Sequence, residues 1–232
     1  MQTGVLQQGV DVEAAQQRFM TKVMWWMCLA LLTTAGIAWY VVSSEAIMRT
    51  IFTNQVLFFG LIIAEFACVI AISAAINRLS AMAATGLFFL YAALTGATIS
   101  VVFVAYTQQS IFTTFLITAG TFAAMGIYGY TTKRDLTSVG SLAFMGLVGI
   151  ILASVLNWFV KSTLLYTAVT YIGVLVFVGL TAYDAQKIKR MAAGLAEGSE
   201  AEQKGAIIGA LALYLDFINL FLLLLRIFGR RR

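Results

Sequence analysis

Seven apolar stretches constrain this chain more than any other feature. Residues 23–42, 56–76, 82–106, 111–130, 139–159, 163–183 and 205–228 hold 152 of the 232 residues but only three of its 25 charges, Glu65, Asp216 and Arg226. A helix needs roughly 20 apolar residues to cross a hydrocarbon core of about 30 Å, and every stretch reaches that length. None alternates strictly between apolar and polar positions, and all are far longer than a barrel strand. Helices that satisfy their own backbone groups in lipid are therefore the workable solution. With 61% hydrophobic and 11% charged residues, the chain also lacks the polar surface a soluble domain of this size would need. It reads as one all-α integral membrane domain of seven transmembrane helices over 23–228, with a polar tail over 1–22 and a basic tail over 229–232.

The charges outside these stretches set the topology. With the N-terminus in the cytoplasm, Arg18, Lys22, Arg78, Lys133, Arg134, Lys187, Lys189, Arg190 and Lys204 fall on the inner side, against Arg49 and Lys161 in outer loops. That asymmetry is what the positive-inside bias requires. Residues 1–22, with Asp11, Glu13, Arg18 and Lys22, are too long and mixed for a cleaved leader, so the first helix reads as a retained signal anchor. Seven crossings put Arg230, Arg231 and Arg232 outside, against the same bias, which would prefer a re-entrant last segment. The expectation here remains seven crossings. Basic residues scattered through short loops suit an anionic lipid surface and not a nucleic acid.

Composition removes several chemistries. Without histidine there is no Ser-His intramembrane protease, no His-ligated zinc protease and no haem histidine. Cys28 and Cys68 sit in apolar runs with no CxxC neighbourhood, which argues against a disulfide framework or zinc site. No lysine lies in 205–228 to carry a retinal Schiff base. No cofactor is expected. The interfacial aromatics Trp25, Trp39, Tyr40, Tyr106, Tyr130 and Trp158 read as a membrane belt, and Gly140, Gly146, Gly149, Gly205 and Gly209 as points of close helix approach.

What remains is a small set of charges that membrane placement makes costly. Glu65 is tenth in the second stretch and Asp216 twelfth in the last. An ionisable group at such depth normally faces a bundle interior or watery cavity and marks function. The plain alternative is a neutral, hydrogen-bonded structural residue, with Tyr214 or Asn219 as a local partner for Asp216. Arg78 closes the second stretch and Asp184 the sixth, both at the cytoplasmic end. Either they pair across a pore mouth or both are solvated, with Asp184 contacting Lys187 one turn on. An aspartyl protease of the presenilin kind would also place two Asp on the sixth and seventh helices. Its second Asp follows a Gly-x-Gly, whereas Leu213-Tyr214-Leu215 stands here, and its Pro-Ala-Leu signature cannot exist in a chain without proline.

Three segments carry a resemblance. Val178-Gly-Leu-Thr-Ala-Tyr-Asp-Ala-Gln-Lys-Ile-Lys189, Gly209-Ala-Leu-Ala-Leu-Tyr-Leu-Asp-Phe-Ile-Asn-Leu-Phe-Leu-Leu-Leu-Leu-Arg226 and Tyr128-Gly-Tyr-Thr-Thr-Lys-Arg-Asp-Leu136 strongly resemble the Bax inhibitor-1 family, in its bacterial inner-membrane branch. The resemblance implies six helices around a central seventh and a non-enzymatic, pH-sensitive calcium leak pathway in the bacterial inner membrane. It implies that Asp184 and Asp216 form a paired-aspartate pH sensor. Arg78 would be the gating arginine and Glu65 the mid-helix glutamate, with transient calcium contacts at Asp184, Asp216 and Glu65. The basic cluster around the gating arginine is reduced here to Asn77-Arg78. An alternative role is a regulator that binds a membrane protease or another membrane protein. Proton-coupled transport of a small solute through the same acids is a third.

The physics of such a sensor stands independently. Two carboxylates close together in a poorly hydrated site cannot both ionise cheaply, so they titrate as a unit. A shared proton can join the sixth and seventh helices, and deprotonation adds repulsion, so flux should rise with pH. Calcium usually takes six to eight oxygens, roughly, and so few buried acids suit a leak better than a buffer. Dead reckoning at about 1.5 Å per residue puts Asp216 roughly 15 Å in from the end of its helix and Asp184 at the end of its own. A direct pair therefore requires the sixth helix to carry Asp184 deeper or the seventh to start higher.

Overall fold

The computed structural model describes residues 2–232, with side chains from Val12 onward; Met1 and the side chains of residues 1–11, at the start of the expected polar tail, lie outside the described residues. Nine helices follow in order among the described residues: α1 (Gln2–Ser43), α2 (Glu45–Thr53), α3 (Gln55–Ala75), α4 (Ala81–Ile99), α5 (Val101–Ala105), α6 (Gln108–Thr131), α7 (Thr137–Val160), α8 (Thr163–Ala192) and α9 (Glu200–Phe228). Seven spans among them are long and apolar enough to cross a membrane, with α4 and α5 counted as one. The all-α, seven-span expectation holds.

Short polar residues punctuate these helices. Asn54 Oδ1 accepts the Leu57 N–H at 3.1 Å, Ser80 Oγ the Ala83 N–H at 3.2 Å, and Thr107 Oγ1 the Ser110 N–H at 3.3 Å. Each satisfies a backbone donor that the first turn leaves orphaned, which matters most where water is scarce. Ser199 does the same for Glu202 at 3.1 Å, while Glu202 accepts the Gly198 N–H at 2.8 Å, a reciprocal arrangement that starts α9.

Four details differ from the sequence expectation. The third apolar stretch breaks at Ser100, whose Oγ donates back to the Ala97 carbonyl at 2.7 Å. The first loop folds into α2, an amphipathic helix burying Ile51. Most of the 1–22 tail belongs to α1. And α8 runs nine residues past Tyr183, to Ala192, because Ala185, Ile188 and Ala192 continue its buried face.

The chain forms two compact units, Met1–Ala105 with Lys189–Tyr214, and Tyr106–Ile188 with Leu215–Arg232; α8 and α9 contribute to both. In the first unit Val23, Ala30, Ile72, Ala84, Phe88, Ala206 and Tyr214 are essentially inaccessible. α1 and α4 approach closely at Gly96, where a Cβ would sit 2.6 Å from the Thr34 carbonyl oxygen. Ion pairs Arg18–Glu197 and Lys22–Glu202, both at 3.1 Å, tie α1 to the segment around the start of α9. The second unit is built on Ala143, Val176, Phe177, Leu180, Leu220, Leu223 and Leu224.

Burial is uneven. The α9 span is 72% buried, whereas the other six range from 11% to 39%, and large apolar side chains such as Phe66, Leu142, Phe144, Leu152 and Leu175 lie exposed. So much exposed apolar surface fits lipid and not water.

Candidate functional site

α8 brings Asp184 to its place through three grips in the second unit. Gly129 of α6 lies so close to Ala182 that any Cβ would collide with the Ala182 carbonyl. Gly140 of α7 faces Tyr183, and a Cβ there would lie 2.5 Å from the ring. One turn on, Gln186 spans the α6–α7 turn, its Nε2 donating to the Arg134 carbonyl at 2.7 Å and its Oε1 accepting the Leu136 N–H at 2.9 Å. Backbone contact on one side and a two-way amide clamp on the other set both the level and the rotation of α8 at residues 182–186.

Asp184 is half-buried and sits eight residues before the end of α8. At about 1.5 Å per residue the helix continues roughly 12 Å beyond it. The sixth span thus carries Asp184 inward. α9 also begins earlier than the apolar stretch, at Glu200, which puts Asp216 roughly 24 Å along it, so the difference in level between the two aspartates narrows only to about 12 Å. Lys187 is the cation that acts on Asp184, and its Nζ lies 5.9 Å from the centre of the Tyr183 ring.

Asp216 is 4% exposed on α9. Asp184 lies near enough for its charge to act on it. Beside Asp216 on α9, Phe217 packs edge-on against Phe115 and Phe122, with ring centroids 5.5 and 5.4 Å apart, so its flank is dry. The Oδ2 of Asp216 is sealed and has no hydrogen-bond partner among the described residues. Neither suggested local partner serves it. The Tyr214 hydroxyl pairs with Thr34 Oγ1 at 2.6 Å, and Asn219 Nδ2 donates to the Leu215 carbonyl at 2.8 Å. Among the described residues no third acid or thiol gathers with the two aspartates into a metal-binding group.

The first unit holds the other two expected residues. Glu65 is half-buried on α3, and its Oε1 accepts the Thr98 hydroxyl of α4 at 2.7 Å. Arg78 is exposed in the turn after α3, where its N–H donates to the Ala75 carbonyl at 2.8 Å. The structure therefore groups Asp184 with Asp216 in one unit, and Glu65 with Arg78 in the other.

This geometry sits inside a known sequence pattern. The family model described as inhibitor of apoptosis-promoting Bax1 matches residues 16–232. The chain belongs to the Bax inhibitor-1 family. It is 55% identical to "Inner membrane protein YbhL" of Escherichia coli K12, over 96% of each chain. A Borreliella burgdorferi protein is 48% identical over 94% of each chain, and the Rickettsia prowazekii protein RP147 is 45% identical over 93% of this chain and 91% of its own. With seven apolar spans, the chain is a membrane protein of the Bax inhibitor-1 family.

The structure also explains why the separated segments go together. Tyr128–Leu136 supplies Gly129, the Arg134 carbonyl and the Leu136 N–H, all of which meet α8 at Ala182 and Gln186. Gln186 and Gly129 were not singled out from sequence. Their signal was present, since a glycine within Tyr128-Gly129-Tyr130 and a glutamine two residues past Asp184 are the residue types that allow backbone contact and bind two backbone groups at once.

Proposed function

We propose that this protein is a pH-sensitive calcium leak pathway of the bacterial inner membrane, gated by Asp184 and Asp216. The observation that carries the reading is the sealed, unpartnered Oδ2 of Asp216 within reach of the Asp184 charge. A carboxylate oxygen without a donor in a dry site is costly, and costlier beside a second carboxylate, so proton exchange at this pair changes the energy of the α8–α9 packing. The pair sits on two helices, and loss of its proton drives them apart. A hydrated gap between them offers a divalent cation carboxylate and carbonyl oxygens for a transient stay. Glu65 and Arg78 keep, in the first unit, the mid-helix glutamate and gating arginine roles that the family resemblance implies. The likeness to the Escherichia coli inner membrane protein supports the inner membrane. The excess of basic residues in one set of loops supports a cytoplasmic N-terminus.

The test is calcium entry into proteoliposomes loaded with an indicator, at pH values on either side of neutrality. Flux rises with pH in the native protein, and Asp184→Asn and Asp216→Asn each flatten that dependence. Flux that is absent at every pH, with a membrane protein co-purifying in stoichiometric amount, would replace the leak with a regulatory role.

A further inference from the structure

The arginines at the C-terminus run against the charge asymmetry of the loops, and the second unit accounts for them. α9 ends at Phe228, and the tail then folds back beside the start of α6. The Thr107 N–H donates to the Arg230 carbonyl at 3.1 Å, and the Arg230 N–H to Ser110 Oγ at 2.9 Å. Arg231 pairs with Tyr106 in an isolated antiparallel bridge. Its guanidinium lies against the Tyr106 hydroxyl, the stronger influence, and the Tyr166 hydroxyl, both of which raise its pKa. The guanidinium of Arg226 stacks over the Tyr166 ring at 5.4 Å.

Tyr166 also lines an open surface groove of about 380 Å³, together with Asn157, Trp158, Lys161, Ser162 and Thr163. This turn is built. The Lys161 N–H donates to the Asn157 carbonyl at 2.8 Å, Asn157 Oδ1 accepts the Ser162 N–H at 2.8 Å, and Ser162 Oγ accepts the Leu165 N–H at 3.3 Å. Lys161 holds φ 53°, ψ 35°, the left-handed helix end that glycine normally occupies, and no other non-glycine among the described residues has a positive φ. A long cation thus stands where a side chain is disfavoured.

Among the described residues of this unit, no acidic side chain lies near this group. The unit's acidic side chains are Asp135, Asp184 and Asp216. Along α7 and α8 the first two are roughly 37 and 31 Å away, and Asp216 is about 15 Å from Arg226 along α9. Apolar side chains flank the groove: Trp158, Phe159 and Leu164 are 69%, 78% and 81% exposed. Clustered cations beside exposed aromatic and aliphatic side chains at a span end match the chemistry of an anionic headgroup with its acyl chains.

We propose that Lys161, Arg226 and Arg231, arranged around Tyr166, bind the phosphodiester of an anionic phospholipid. Bound lipid staples the α7–α8 turn to the C-terminal tail. The test uses the full chain, stripped of lipid in detergent and titrated separately with phosphatidylglycerol, phosphatidylcholine of the same acyl chains, and inorganic phosphate. Retained lipid is read by native mass spectrometry and stability by thermal unfolding. Phosphatidylglycerol should be retained at least about tenfold better than phosphatidylcholine, and Lys161→Gln, Arg226→Gln and Arg231→Gln should each weaken it about fivefold. Arg231→Lys should retain most of the effect, and Lys133→Gln, in the α6–α7 turn, should change nothing. Equal retention of the two lipids, or equal losses in Lys133→Gln, overturns the site. Inorganic phosphate that displaces the lipid and stabilises equally well overturns the lipid as ligand in favour of a soluble phosphate.

Discussion

Tyr214 and Asp216 stand two positions apart on α9, both almost inaccessible, and they meet opposite fates. Tyr214, in the first unit, is fully satisfied: its hydroxyl reaches Thr34 Oγ1 at 2.6 Å, which in turn donates to the Ala92 carbonyl at 2.8 Å, and Phe88 and Tyr91 pack edge-on against its ring. Asp216, in the second, keeps an oxygen with no partner among the described residues. At about 100° per residue, a two-residue step turns a side chain roughly 200° around the helix, so neighbours in sequence face different surroundings. One is a polar group spent on packing. The other is a polar group left available, and a buried acid left available is what a proton-responsive element needs.

The largest test of this contrast concerns how firmly the second unit holds its acid. Gly129→Ala should lower stability by about 1–3 kcal/mol, because the colliding atom is the backbone carbonyl of Ala182 and cannot swing away. Gly86→Ala, where a Cβ meets nothing within 4 Å, is the control and should cost nothing in thermal unfolding. Next comes Thr34→Val, which strips the Tyr214 hydroxyl of its partner in a sealed site, at about 1–3 kcal/mol. Tyr214→Phe should be milder, about 0.5–1.5 kcal/mol, since Thr34 keeps the Ala92 carbonyl as acceptor. The smallest stability loss belongs to Asp216→Asn, below about 1 kcal/mol, because no observed hydrogen bond to Oδ2 is lost and the carboxyl removed is costly to ionise in a dry site. If Asp216→Asn proved as costly as Thr34→Val, the two regions would be alike and Asp216 a structural residue.

Much of this was legible beforehand, for reasons that are local. Length and apolarity mark a membrane span whatever surrounds it, so the seven spans could be read directly, and the same feature kept Glu65 and Asp216 visible against a background without charge. The break at Ser100 was not legible, because a serine inside an apolar run breaks a helix only when local packing favours its bond to the Ala97 carbonyl. The reach of α8 beyond Tyr183 is hidden in the sequence for a related reason. Lys187, Lys189 and Arg190 lower the apolar content after Tyr183, yet Ala185, Ile188 and Ala192 hold the helix onto a buried face. Periodicity, not mean hydropathy, was the signal there.

The sequence by itself determined the class of the molecule, its spans and the identity of the acids that lipid makes expensive, because transfer out of water depends on each side chain's own chemistry. Only the tertiary structure decided that Asp184 and Asp216 share a unit, that Gly129 and Gln186 seat α8, that Tyr214 is satisfied while Asp216 is not, and that the terminal arginines meet Tyr106 and Tyr166. Those outcomes depend on which faces of distant helices meet and at what level along their axes, and a difference of two residues is enough to exchange one set of neighbours for another.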